Sequence, residues 1–263
     1  MPASIDRVFI LFSVYAFFGW LLEFAYRSIS SRQIVNPGFL QGPFVPIYGI
    51  GAALTLGVDF LLPPGQAATR LLAFFLILSV LEYAAGWSLE RIFNIKLWDY
   101  SDTRFHLHGR ISLLFSLAWA VLAWVFVSWI HPFFLSQANA MPAAHARAAA
   151  LALAFALVFD TLFSASEVEA FWDLLSRFRK GIPSLRKLDL DSAMARFSRL
   201  RMAFPYLNLQ LQQVLQRSVP ESWLEQWRAG YRRIRDNIEA RRPLEAEFNA
   251  IVEDILTHPE FMR

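Results

Sequence analysis

Three carboxylates stand inside runs of apolar sequence. Glu23, Glu82 and Asp160 interrupt the otherwise uncharged stretches 8–26, 71–89 and 148–166. A carboxylate at membrane depth costs a few kcal/mol and turns toward protein or water. Two uses follow: a polar cavity that binds a polar or cationic group, or a polar contact that holds helices together. Asp59, near the end of the stretch 44–62, reads as an interfacial residue. A second source of chemistry is the segment Trp98-Asp99-Tyr100-Ser101-Asp102-Thr103-Arg104-Phe105-His106-Leu107-His108-Gly109-Arg110. His106 and His108 with Asp99 or Glu23 have the donor types for a divalent metal. Ser101, His106 and Asp99 have those of a nucleophile, a base and an orienting acid. Neither set is complete in the sequence, because no second half of a metal motif and no nucleophile elbow accompanies it. No metal, no cofactor and no catalytic residue is therefore expected, and the chain reads as a non-enzyme.

The elements that position these groups are membrane helices. The chain of 263 residues is 56% hydrophobic and 18% charged, with 25 Phe and 9 Trp. A soluble domain carries more charge. Ile111 to Ile130 contains 20 residues without a charge, about the length that crosses a bilayer core. With 8–26, 44–62, 71–89 and 148–166 this makes five expected transmembrane helices. The first run is too long for a cleavable signal, ends in Glu23 and lacks a small-residue cleavage site, so it reads as an uncleaved helix. Lys and Arg set the orientation. Arg27, Arg32, Arg91, Lys96, Arg104 and Arg110 fall in one set of connectors, whereas the other set holds Arg7, Arg70 and Arg147. The expected topology places the N-terminus outside and the C-terminus in the cytoplasm.

Part of this arrangement is written twice. Gly19-Trp20-Leu21-Leu22-Glu23 returns 67 residues later as Gly86-Trp87-Ser88-Leu89-Glu90, and the same offset pairs Leu40 with Leu107 and Gly42 with Gly109. The register gives 6 identities in 25 positions. It reads as two tandem hairpins in parallel repeat, with Glu23 and Glu90 at equivalent boundary positions. The connector after the first copy, Asn36-Pro37-Gly38-Phe39-Leu40-Gln41-Gly42-Pro43-Phe44-Val45-Pro46-Ile47-Tyr48-Gly49, cannot be a regular helix. Irregular backbone beside a membrane is buried in protein or lines a wet cavity. A re-entrant or tightly folded loop is expected there.

The expected division is a transmembrane domain over 1–170 and a cytosolic, amphipathic helical tail over 171–263. The tail holds 16 basic and 12 acidic residues. Phe171 to Lys180 reads as a short amphipathic helix lying in the headgroup layer, ended by Gly181 and Pro183. Trp223 and Trp227 lie at helical spacing and form a candidate partner-binding stripe. Acids interleave the bases throughout, which argues against nucleic acid as a partner.

Three strings carry a family resemblance: GFLQGPFVPIYGIGA at 38–52, Leu81-Glu82-Tyr83, and WDYSDTRFHLHGRISL at 98–113. Over roughly residues 8–132 the chain resembles the bacterial membrane family called ABC-transporter type IV permease, CmpB-like. That family tends to carry Asn where His106 stands and Cys or another small residue near Val45 and Ser112, so no histidine role follows from the resemblance. It implies a permease subunit in the bacterial cytoplasmic (inner) membrane. No Gly-x-x-x-x-Gly-Lys-Ser/Thr loop occurs in the chain, so an ATPase would be a separate subunit. The partners expected are the lipid bilayer, such an ATPase and a second copy of the chain as a homo-oligomer. The candidate polar cluster for substrate or structure is Glu23, Asn36, Tyr48, Glu82, Trp98, Asp99, Tyr100, Arg110 and Asp160. The alternative is a membrane scaffold or regulatory protein whose tail recruits a partner.

Overall fold

The computed structural model describes residues 4–63, 65–93, 96–101, 103–179, 197–204 and 207. The chain is all-α apart from one small hairpin. Its elements are α1 (Ile5–Ser31), α2 (Pro46–Leu61), α3 (Ala67–Phe93), β1 (His106–Leu107), β2 (Ile111–Ser112), α4 (Leu113–Val125), a π-helical turn (Phe126–Ile130), α5 (His131–Ala140), α6 (Ala143–Arg179) and α7 (Ser198–Ala203). Helix α1 packs along α2 and α6, α2 along α3, and α3 along α4. Among the described residues four stretches are long and apolar enough to cross a membrane: Ile5–Ile29, Ala67–Phe93, Leu113–Ala140 and Ala143–Arg177. The second expected span is shorter. Helix α2 has 16 residues, about 24 Å at 1.5 Å per residue, against a hydrocarbon core of about 30 Å.

The shortfall of α2 is explained by where it begins. The Val45 amide donates to the Ala16 carbonyl at 3.0 Å, midway along α1. The connector therefore climbs back beside the second half of α1 before α2 starts. This is the folded-back loop expected from its prolines and glycines. Two close approaches let α1 and α2 cross here. A Cβ on Gly19 would stand 2.1 Å from Tyr48 Cγ, and one on Gly49 would stand 2.8 Å from the Phe12 carbonyl oxygen.

The uncharged run 111–130 folds in two parts and continues past its expected end. Ile111 and Ser112 belong to β2, and the helical run extends through α4, the π turn and α5 to Ala140. The π turn precedes Pro132, whose ring cannot sit against a normal preceding turn. The His131 amide donates instead to the Phe126 carbonyl, five residues back. Tyr15 Oη lies 2.7 Å from His131 Nδ1 and ties the turn to α1.

Both polar connectors sit at one end of the bundle. Phe39 of the first stacks on Phe93 at the end of α3 (centroids 4.9 Å apart). Arg27 at the end of α1 donates to the Leu97 carbonyl of the second. The opposite end holds the Asp59–Arg70 ion pair at 3.2 Å and the bond from Arg7 to the Met141 carbonyl at 3.1 Å. Helices α1 and α3 thus run the same way, as a parallel repeat requires. The offset persists in the structure, because α2 begins at Pro46 and α4 at Leu113, 67 residues apart (113 − 46).

Residues 171–179 depart from the sequence reading. Phe171 to Arg179 do not form a separate helix lying in the headgroup layer. They continue α6, which runs 37 residues without interruption, about 55 Å and well beyond a bilayer core. Their apolar face is covered by protein. Val168, Phe171 and Leu175 form a buried core with Phe197, Leu200, Ala203, Phe204 and Leu207. Phe39, Phe93 and Leu97 from the connector end pack against it. Trp223, Trp227, Gly181 and Pro183 lie outside the described residues.

Candidate functional site

Glu23, Tyr48, Glu82 and Tyr100 converge where the connectors meet the bundle. Glu23 of α1 pairs with Arg27 one turn later at 2.6 Å. Arg27 also donates to the carbonyls of Ala203 at 3.0 Å and Leu97 at 3.3 Å. Glu82 of α3 is 8% exposed. Its Oε1 accepts from the Tyr100 hydroxyl at 2.9 Å, while Oε2 is buried without a hydrogen-bond partner. The Trp119 indole of α4 stands beside this carboxylate, and Trp119 meets the Tyr48 ring edge-on at 5.9 Å between centroids. Tyr48 feels the charges of Glu23, Arg27 and Glu82. Tyr100, whose ring stacks on Phe115 at 4.7 Å, feels Glu82, Tyr48 and Glu23. Burial first, and the carboxylate of Glu82 second, hold the Tyr100 phenol far above its ordinary range. It remains a neutral hydroxyl that donates to Glu82.

The second connector reaches Glu82 because it is a folded hairpin. His106 pairs with Ser112 and Leu107 with Ile111. His108 (φ 54°) and Gly109 (φ 68°) occupy the left-handed region in the turn between them. The turn is fastened from within: Tyr100 N–H donates to the Gly109 carbonyl at 2.8 Å, and Trp98 Nε1 donates to the Arg110 carbonyl at 2.7 Å. Arg110 pairs with Glu90 at 2.5 Å and lies over the Tyr83 ring, 5.3 Å from its centroid. This partner raises the already high guanidinium pKa further, by hydrogen bonding before direct charge.

Asp99 is a brace for that turn. Its Oδ1 accepts the Ser101 hydroxyl and amide at 2.5 and 3.0 Å, and its Oδ2 accepts Lys96 at 3.0 Å. The Ser101 hydroxyl first, then the Lys96 ammonium and the Ser101 amide, hold its carboxyl below the usual carboxylate range. A lowered folded-state pKa contributes stability above the unfolded value, about 3.9, and that stability is lost as pH falls through the folded value. Amide protection of residues 98–110, corrected for intrinsic exchange, is therefore expected to stay level above about pH 5 and to fall below about pH 4. Hydrogen exchange measures this, and Asp99→Asn should abolish the pH dependence. An unchanged profile in Asp99→Asn would show that the brace does not control the turn.

Asn36 and Asp160 sit on the other side of the first connector. Trp20 Nε1 donates to Asn36 Oδ1, and Asn36 Nδ2 donates to the Gln41 carbonyl, both at 2.6 Å. Asp160 of α6 accepts the Gln41 amide at 2.9 Å and the Gly42 amide at 2.8 Å. Ser164 Oγ donates to the same carboxylate at 3.2 Å. Glu167 accepts Gln41 Nε2 at 2.8 Å and pairs with Arg199 at 2.7 Å. Arg199 also donates to the Leu40 carbonyl at 3.1 Å. Asp160 thus holds a loop against α6, whereas Glu23 and Glu82 share the inner cluster. An open groove of about 410 Å³, lined by Phe44, Phe159, Phe163 and Asp160 among others, runs between that loop and α6.

The two other arrangements considered from sequence do not assemble. Ser101 Oγ donates to Asp99, and His106 Nδ1 accepts the Gly109 amide at 3.1 Å, so no histidine addresses the serine hydroxyl. His108 Nδ1 faces Tyr83 Oη at 3.1 Å. Among the described residues no three metal-ligating side chains come together. Sequence reasoning missed Trp119, Glu167 and Arg199 as members of these networks. An indole in the uncharged run and charged residues far apart along the chain carry no local mark of a long-range partner.

The fold and this cluster define a multi-pass, α-helical membrane protein with both polar connectors at one end of the bundle. The chain belongs to the ABC_trans_CmpB family, described as "Putative ABC-transporter type IV", whose family model matches residues 10–165. The match extends past the region carrying the sequence resemblance and takes in Asp160 and Ser164 of α6. No curated protein and no solved structure matches the chain.

Proposed function

We propose that the chain is the membrane-embedded permease subunit of an ABC-type transporter, with a polar site open to the cytoplasm and no ATPase of its own. The observation that carries this reading is the cluster of buried Glu82 with half-buried Glu23, Tyr48 and Tyr100 within a member of a transporter-type family. Buried ionisable groups in membrane bundles are expensive and mark substrate or ion paths by default. Parallel repeats of membrane hairpins are common in transporters. The charge bias of the connectors puts this end in the cytoplasm of a bacterial inner membrane, with the N-terminus outside.

The ATPase would dock at this same end, on the connectors or on the tail. The core built from α6 beyond residue 167 with Phe197, Leu200, Ala203, Phe204 and Leu207 supplies a platform braced to both connectors by Arg27 and Arg199. Purification of the tagged chain from its native membrane in mild detergent is expected to recover an ATPase subunit in a stoichiometric complex. Repeated recovery of the chain with no ATPase would overturn the permease reading and favour a scaffold whose tail recruits another protein.

A further inference from the structure

We propose that Glu82, walled by Tyr48, Tyr100 and Trp119, binds the ammonium group of a monovalent organic cation. The proposal names a substrate class for the permease reading and rests on that reading for its biological meaning. The argument begins with charge. Glu23 is matched by Arg27 and Glu90 by Arg110. Glu82 has no ion-pair partner among the described residues, so the inner cluster carries one uncompensated carboxylate. A buried charge of this kind calls for a counter-charge or a proton.

The second observation is the orphaned oxygen. Glu82 is more than nine-tenths buried. Its Oε1 is satisfied by Tyr100; Oε2 makes no hydrogen bond of good geometry, although the Trp119 indole is a donor beside the carboxylate. An unsatisfied buried acceptor is disfavoured, and an ammonium N–H supplies donor and charge together. A quaternary ammonium supplies the charge alone.

The walls fit the same ligand. Tyr48 and Trp119 meet edge-on near the carboxylate, and Tyr100, stacked on Phe115, donates to it. Aromatic rings beside a carboxylate bind ammonium groups through ring faces as well as charge. A small hydrated metal ion gains little from such walls. Oxygen-rich cages suit those ions, and no set of three or more metal-ligating side chains occurs among the described residues.

The test uses the full chain in lipid nanodiscs and isothermal titration calorimetry, with tetramethylammonium and n-propylammonium as probes. Both are expected to bind saturably, and neutral propan-1-ol is expected not to. Glu82→Gln should weaken binding at least tenfold while keeping the acceptor for Tyr100. Asp59→Asn, at the opposite end, should leave it unchanged. Trp119→Leu should weaken tetramethylammonium more than potassium. The proposal is overturned by absence of saturable ammonium binding, by equal binding of propan-1-ol, by potassium competing with equal affinity, or by an unaffected Glu82→Gln. Should Glu82→Gln not fold, Trp119→Leu decides, and unchanged discrimination against potassium overturns the site. Copurification of an ATPase is a separate measurement. Ammonium binding without an ATPase keeps the site and removes the permease, and the reverse result removes only the site.

Discussion

Asp160→Ala is expected to destabilise the folded chain by about 2–4 kcal/mol, because it leaves buried donors without an acceptor. The carboxylate receives two successive amides, Gln41 and Gly42, and the Ser164 hydroxyl. Such charge-assisted bonds are stronger than neutral ones. The Gln41 amide keeps Ser164 as a second acceptor at 3.1 Å, whereas the Gly42 amide has no second acceptor among the described residues. Asp160→Asn should fall between alanine and the parent, since one oxygen remains. Thermal unfolding in detergent, followed by circular dichroism, checks the order. A melting temperature for Asp160→Ala equal to the parent's would mean that the loop does not depend on α6. Gly42→Ala offers the converse perturbation, since its Cβ would press on Asp160 Oδ2 at 2.8 Å.

Gly19→Val should be as damaging, by a different route. The space that a Cβ would need is filled by Tyr48 Cγ, Cδ2 and Cβ at 2.1–2.5 Å. These atoms lie near the root of the side chain, so a rotamer change does not clear them. Helices α1 and α2 would have to separate, which also breaks the Val45–Ala16 backbone bond. Overpacking of this kind typically costs about 1–3 kcal/mol, occasionally more. The displaced Tyr48 would also leave the Glu82 cluster. The expected result is a lowered yield of monodisperse protein and a lowered melting temperature. Gly57→Val, where a Cβ meets nothing within 4 Å, should behave like the parent. Equal melting temperatures for the two variants would refute the close-crossing account.

The pairing of Gly19 with Gly86 and Gly42 with Gly109 shows how far a repeat can be read from sequence. Three of the four sit where a Cβ would clash: Gly19 against Tyr48, Gly42 against Asp160 and Gly109 against Asp99, whereas a Cβ on Gly86 would make ordinary contact with Arg110. At those three positions close approach excludes a Cβ and leaves glycine as its trace. The identity of each neighbour was not visible. Gly42 lies 118 residues from Asp160, and Gly109 only 10 from Asp99. The equivalent acids, Glu23 and Glu90, also take different partners, one within its own helix and one from the hairpin.

The sequence alone determined that this is a helical membrane protein, that its first connector could not be a regular helix, and that Glu23, Glu82 and Asp160 needed partners. These properties depend on composition, on local periodicity and on the cost of burying charge, all of which are written along the chain. Tertiary structure decided which carboxylates share a site and which holds a loop. It also decided that α2 starts midway along α1, and that Phe171 and Leu175 are covered by protein. Each of those outcomes depends on contacts between residues far apart in the chain. An apolar stripe has the same pattern whether lipid or another helix covers it, and a buried carboxylate has the same neighbours in sequence whichever amide or hydroxyl it finds.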